Sequence, residues 1–102
     1  MIVEYIRYTI SPSGQDAFVE AYEKASKQLD NSEHCLGYEL THCEEEPKSF
    51  ILRIEWTSTE RHLNGFRKSP DFKDFLNHVR PFFNNIEEMN HYKLTNVAKK
   101  KK

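Results

Sequence analysis

Glycine is scarce: three in 102 residues, Gly14, Gly37 and Gly65, each standing alone. That excludes a glycine-rich loop cradling a phosphate. Cysteine is scarcer, with Cys35 and Cys43 only. On one strand they would stand about 26 Å apart at about 3.3 Å per residue, too far to bridge each other. His34-Cys35 and His42-Cys43 are sequence neighbours, so on a strand each pair splits across two faces, and no ligands recur at metal-binding spacing. No metal and no cofactor is expected. No apolar stretch reaches the roughly 18 residues needed to span a bilayer, and MIVEYIRY is not laid out as a signal peptide. A cytoplasmic protein with reduced thiols and no membrane partner is expected. Excess charge is missing too. The formal net charge of −1 gives a nucleic-acid partner no electrostatic support. The only basic run, Lys99 to Lys102, reads as a solvated tail: residues 98–102 beside one domain, 1–97.

What is present is aromatic: seven Phe, five Tyr and one Trp. "IVEYIRYTI" reads as a strand that stops at Ser11-Pro12-Ser13-Gly14. Ser13 with Asp16 resembles a capping pair, and Phe18, Tyr22, Ala25 and Leu29 recur at helical spacing to about Leu29. "CLGYELTHCE" and "SFILRIEWT" alternate as a hairpin around "EEEPK". Thr57 with Glu60 reads as a capping box for a short helix carrying Leu63 and Phe66 inward. Ser69-Pro70-Asp71 restarts a helix that buries Phe72, Phe75, Leu76 and Val79. "MNHYKLT" supplies a last strand. The order is β-α-β-β-α-β, the ferredoxin-like α+β arrangement.

Alternation sorts the strands into two faces. Ile6, Tyr8, Leu36, Tyr38, Leu40, Leu52, Ile54, Trp56, Tyr92 and Leu94 should meet the helices. Val3, Tyr5, Arg7, Glu39, Thr41, Ile51, Arg53, Glu55, His91 and Lys93 form the other face, with both signs of charge over some apolar body. A solvated surface fits that face. Closure against the sheet of a second copy fits it better, since ion pairs there set register. A homodimer is expected.

The element order and the run "LRIEWTSTERHLNGFRKSPDF", with its strand-ending Glu-Trp, Ser-x-Glu and Ser-Pro-x-Phe, resemble the antibiotic biosynthesis monooxygenase family of dimeric α+β barrels. The resemblance implies a pocket between sheet and helices in each subunit. It implies oxidation of phenols or quinols by O₂ without metal or flavin, the substrate's electron-rich anion supplying the reducing power. Haem-degrading relatives carry Asn, Trp and a ligating His where this chain has Ile6, Phe66 and Leu76, so haem degradation is rejected. Many quinol-oxidising relatives have His in place of Phe66 and of Asp71.

The candidates follow. Trp56 and His62 are the catalytic pair: an aromatic at a strand mouth that could stack on a flat ligand, and a base with an ordinary pKa near 6.5. Tyr8, Tyr38, Phe66 and Tyr92 are the substrate-binding candidates, the three tyrosines because hydroxyls in an apolar layer need partners. Trp56 as core and His62 as a satisfied or exposed residue are the plainer readings. The expected function is a cofactor-independent monooxygenase acting on a small aromatic molecule. The rival is a non-catalytic dimeric binding or interaction module on the same scaffold.

Overall fold

The computed structural model describes residues 1–101. Its strands are β1 (Ile2–Thr9), β2 (Cys35–His42), β3 (Ser49–Trp56) and β4 (Ile86–Lys93); its helices are α1 (Gln15–Asp30) and α2 (Pro70–Val79). The four strands form one antiparallel sheet in the order β2-β3-β1-β4, with both helices on one face. This is the expected ferredoxin-like α+β fold. The α1 stripe is the expected one: Phe18, Tyr22, Ala25 and Leu29 are buried. They pack on Tyr8, Phe50 and Leu52, with Phe18 edge-on to Tyr8 and Phe50 at 4.8 and 5.1 Å. Cys35 and Cys43 are free thiols.

The helix starts differ from expectation. A 3₁₀ turn, Pro12–Gly14, leads into α1 and no side chain caps it; Ser13 meets Ser11 instead. Ser58, not Thr57, caps the next segment, its Oγ accepting from the Arg61 N–H at 3.0 Å. Ser69 does not cap α2 by its side chain: its hydroxyl turns back to donate to the Phe66 carbonyl at 2.6 Å, and Pro70 opens the helix.

Between β3 and α2 the chain forms a π-helical turn, Arg61–Gly65, then a 3₁₀ turn, Phe66–Lys68. The wider turn advances the inward face by one position. His62 and Phe66 are buried, whereas Leu63, expected inside, is largely exposed. Such turns are rare and concentrate at functional sites. Gly65 is required for closeness here: a Cβ would stand 2.5 Å from the His34 ring.

Two register shifts correct the expected faces. On β2 the pairing slips between Cys35 and Gly37, leaving Leu36 55% exposed. On β4, Arg7 pairs with Glu88 and Tyr8 with Ile86, so Glu87 is an extra residue. One inserted residue reverses the side-chain phase of a strand. Met89 and His91 therefore pair with Ile6 and Glu4 on the helix side, while Tyr92 pairs with Val3 on the opposite face. There Tyr92 lies edge-on to Tyr5 at 5.3 Å. Leu94 lies beyond β4 and is exposed. Residues 98–101 have no regular structure and are exposed, and Lys102 lies outside the described residues.

Candidate functional site

Strand parity places Glu4 on the helix-facing side of β1 with Ile6 and Tyr8. It is 2% exposed, and His62, delivered by the π turn, is 3% exposed. A buried carboxylate without partners is costly, and this one is partly provided for. The Trp56 indole N–H donates to Glu4 Oε1 at 3.1 Å, and His62 Nε2 lies 3.6 Å from the same oxygen. His62 Nδ1 shares a hydrogen bond with His91 Nε2 at 2.6 Å, and Trp56 stacks on the His62 ring at 4.3 Å and 11°. His91 is half-buried, so the line Glu4–His62–His91 runs from the interior toward the surface.

Burial dominates the electrostatics. It raises the Glu4 carboxyl above its ordinary value, with the Trp56 hydrogen bond and the Arg67 charge pulling the other way. It pushes His62 down to about 3, assisted by Arg67 and His91. His91 is lowered for the same leading reason, with Arg67 adding to it. Both imidazoles are therefore neutral carriers near neutral pH.

Glu4, Trp56 and His62 line a cavity of about 340 Å³ between sheet and helices. Phe66, Phe72, Phe75 and Leu76 form much of the helical wall, and Ile6, Ile54 and Met89 the sheet wall. A space of a few hundred Å³ suits a small aromatic ligand.

Of the sequence candidates, Trp56, His62, Phe66 and Tyr8 line this cavity. Tyr8 is not short of a partner: its hydroxyl bonds that of Tyr22, and burial pushes its pKa up to about 12. Tyr38 lies elsewhere, in an open groove between α1 and β2, where its hydroxyl donates to Asp30 at 2.6 Å. Tyr92 is across the sheet. His91, expected on that far face, is instead part of the cluster. Glu4 and Arg67 were missed. The available signal for Glu4 was an acid in phase with Ile6 and Tyr8.

Glu4, His62 and His91 each offer a ligand atom within 4.8 Å of the others, a grouping hidden by their separation in sequence. Two nitrogens on one zinc at about 2.1 Å, tetrahedrally arranged, stand about 3.4 Å apart. The 2.6 Å His62–His91 separation is that of a hydrogen bond, and the Arg67 charge nearby opposes a cation. As arranged, the three are suited to passing a proton.

Residues 1–78 match the family model for antibiotic biosynthesis monooxygenase, and the chain belongs to that family. YczJ of Bacillus subtilis is 23% identical over 92 residues, 90% of this chain and 97% of that protein. Among solved structures, an antibiotic biosynthesis monooxygenase-type protein from Bordetella bronchiseptica superposes with a TM-score of 0.80 at 22% identity, covering 92% of this chain and 96% of that one. SnoaB, a cofactor-independent oxygenase from Streptomyces nogalater, superposes at 0.76 with 12% identity and 94% of each chain covered. At these identities the superpositions show the shared fold.

Proposed function

We propose that this chain is a cofactor-independent monooxygenase acting on a phenol- or quinol-type aromatic held in the cavity under α2. The observation that carries the reading is a largely apolar hollow of about 340 Å³ lined by buried Glu4 and His62, with His91 against them. Family membership and the SnoaB fold support it. Glu4, rather than His62, is the proton acceptor, because a carboxylate held above its ordinary pKa by burial is a stronger base. His62 and His91 form the exit route, and Trp56 fixes the carboxylate and offers a flat wall.

The chemistry balances without a further reductant. Glu4 removes the substrate O–H proton, leaving an electron-rich anion. That anion reduces O₂, and a bond forms between ring carbon and oxygen. The resulting peroxide takes up a proton, the O–O bond breaks, and the carbon loses its C–H proton as water departs. One oxygen atom stays as a carbonyl and the other leaves as water.

The test is oxygen uptake with a panel of quinols and anthrones, with quinone formation followed optically. Uptake matched one-to-one by product is expected; none across the panel would remove the oxygenase reading. The second reading, a non-catalytic binding module, is favoured by Phe66 and Asp71 standing where many active relatives carry histidine. It predicts ligand binding without uptake.

We also propose a homodimer closed through the face bearing Tyr5, Ile51, Arg53 and Tyr92, on which Arg53 already pairs with Glu55 at 3.6 Å. Residues 1–97 would form the domain, with a solvated lysine extension, in the cytoplasm. No described helix is long and apolar enough to cross a membrane.

A further inference from the structure

Arg67 follows Phe66 in the 3₁₀ turn and lines the same cavity. A guanidinium keeps its charge in any protein environment and carries five donors with no acceptor. Its Nε is buried and has no hydrogen-bond partner, the one such side-chain atom among the described residues. None of the described ion pairs includes Arg67. A buried donor left unsatisfied costs about 1–3 kcal/mol, and more when charged. The one opposite charge that acts on it is the Glu4 carboxyl, which Arg67 influences through space without a hydrogen bond or ion pair. Glu4 is engaged by Trp56, and its burial favours the protonated form. His62 and His91 are kept neutral. What remains is a half-buried guanidinium that lines the hollow with its Nε donor unfilled.

We propose that Arg67 holds an oxyanion of the ligand, so that the cavity takes aromatics carrying a phenolate or carboxylate oxygen. The inference rests on the cavity being the ligand site and extends the oxygenase reading by naming a substrate class. During proton removal the negative charge passes from Glu4 to the substrate oxygen. Arg67 is the counter-ion at the destination, and neutral Glu4 is the form that burial favours. A planar fork donating two hydrogen bonds suits either oxyanion. Because the site supplies the cation, the neutral isostere of such a ligand leaves it unpaired and binds worse.

Ligand binding is read by fluorescence of Trp56, the sole tryptophan, which lies in the cavity wall. Two arms separate the oxyanion sources: naphthoate against naphthamide for carboxylate, and hydroxycoumarin, whose ionised form absorbs at longer wavelength, for phenolate. The wild-type chain is expected to prefer naphthoate by about tenfold or more, or to bind hydroxycoumarin with its ionisation shifted downward by about one unit or more. Arg67→Met should abolish whichever preference appears, and Arg67→Lys should keep part of it. Equal affinity for both members of the first pair together with unshifted hydroxycoumarin overturns the proposal, as does an anion preference that survives Arg67→Met. If circular dichroism shows Arg67→Met unfolded, Arg67→Lys and Arg67→Gln carry the comparison. Because the titration needs no turnover, anion selectivity without oxygen uptake sinks only the oxygenase reading. Uptake that is indifferent to Arg67 sinks only this one.

Discussion

Two hollows open on the helix-bearing side of the sheet, and their contents differ sharply. The one between α1 and edge strand β2 is the roomier, about 490 Å³, and is walled by exposed polar groups such as Asp16, Glu23 and Tyr38 around an apolar floor. The other, under α2, is smaller at about 340 Å³, yet it holds Glu4, Trp56, His62 and Arg67. Size therefore does not tell the two apart. Water removal does: against the central strand β1 burial moves Glu4 and His62 in opposite directions. Groups pushed apart in this way are what acid–base chemistry requires.

The sharpest way to break the contrast is to disable one polar group in each hollow. Glu4→Gln keeps size and the Trp56 partner but removes the base. Turnover in oxygen uptake should fall about 10²- to 10⁴-fold with ligand affinity nearly unchanged. Tyr38→Phe in the larger groove should leave turnover within about twofold, at a cost of about 0.5–1.5 kcal/mol for its lost hydrogen bond. Equal effects of the two would erase the distinction.

Packing offers a second, smaller handle. Phe18 is fully buried and touches aromatic rings on several sides, so Phe18→Ala should cost about 3–5 kcal/mol in urea unfolding. Leu76 already borders empty space, so Leu76→Ala should fall at or below the low end of about 2–5 kcal/mol. Matching losses would mean that the cavity under α2 is filled.

Acidification gives the mildest test. His62 is neutral in the folded chain down to about 3 and ordinary near 6.5 when unfolded, so the unfolded chain binds more protons in that window. Its contribution is present above about 6.5 and is lost as pH falls, with a slope approaching about 1.4 kcal/mol per pH unit. His91 adds with the same sign. Glu4, raised when folded, acts oppositely: its contribution is present below its unfolded value and lost as pH rises through its folded one. Chemical unfolding across this range should show an acid limb that His62→Asn flattens and Glu4→Gln steepens. Superimposable curves would contradict the burial of both groups.

The sequence was informative where one regular period ran unbroken. Phe18, Tyr22, Ala25 and Leu29 announce α1 and its buried stripe because four residues at helical spacing admit one face. The element order and the aromatic wall at Trp56 and Phe66 were legible for the same reason. Legibility failed at the single-residue irregularities. Glu87 as an extra residue turns β4 over and exchanges Tyr92 for His91, and the π turn exchanges Leu63 for His62. Neither insertion has a local signature, because pairing with β1 and the packing of Phe66 decide them. Glu4 was passed over because one acid in an otherwise apolar strand looks like an edge residue until three neighbours surround it. The site was thus half readable: its walls from periodicity, its proton path only from tertiary contact.

Glu4 lies near the beginning of β1, yet the residues it works with arrive from positions 56, 62 and 91. Because β1 and β4 are neighbours in the sheet though far apart along the chain, Glu4 lacks the His91 end of its cluster until the strand that carries His91 has been made. The proposed path for protons is thereby tied to long-range pairing: a chain that stops short of β4 lacks its His91 end.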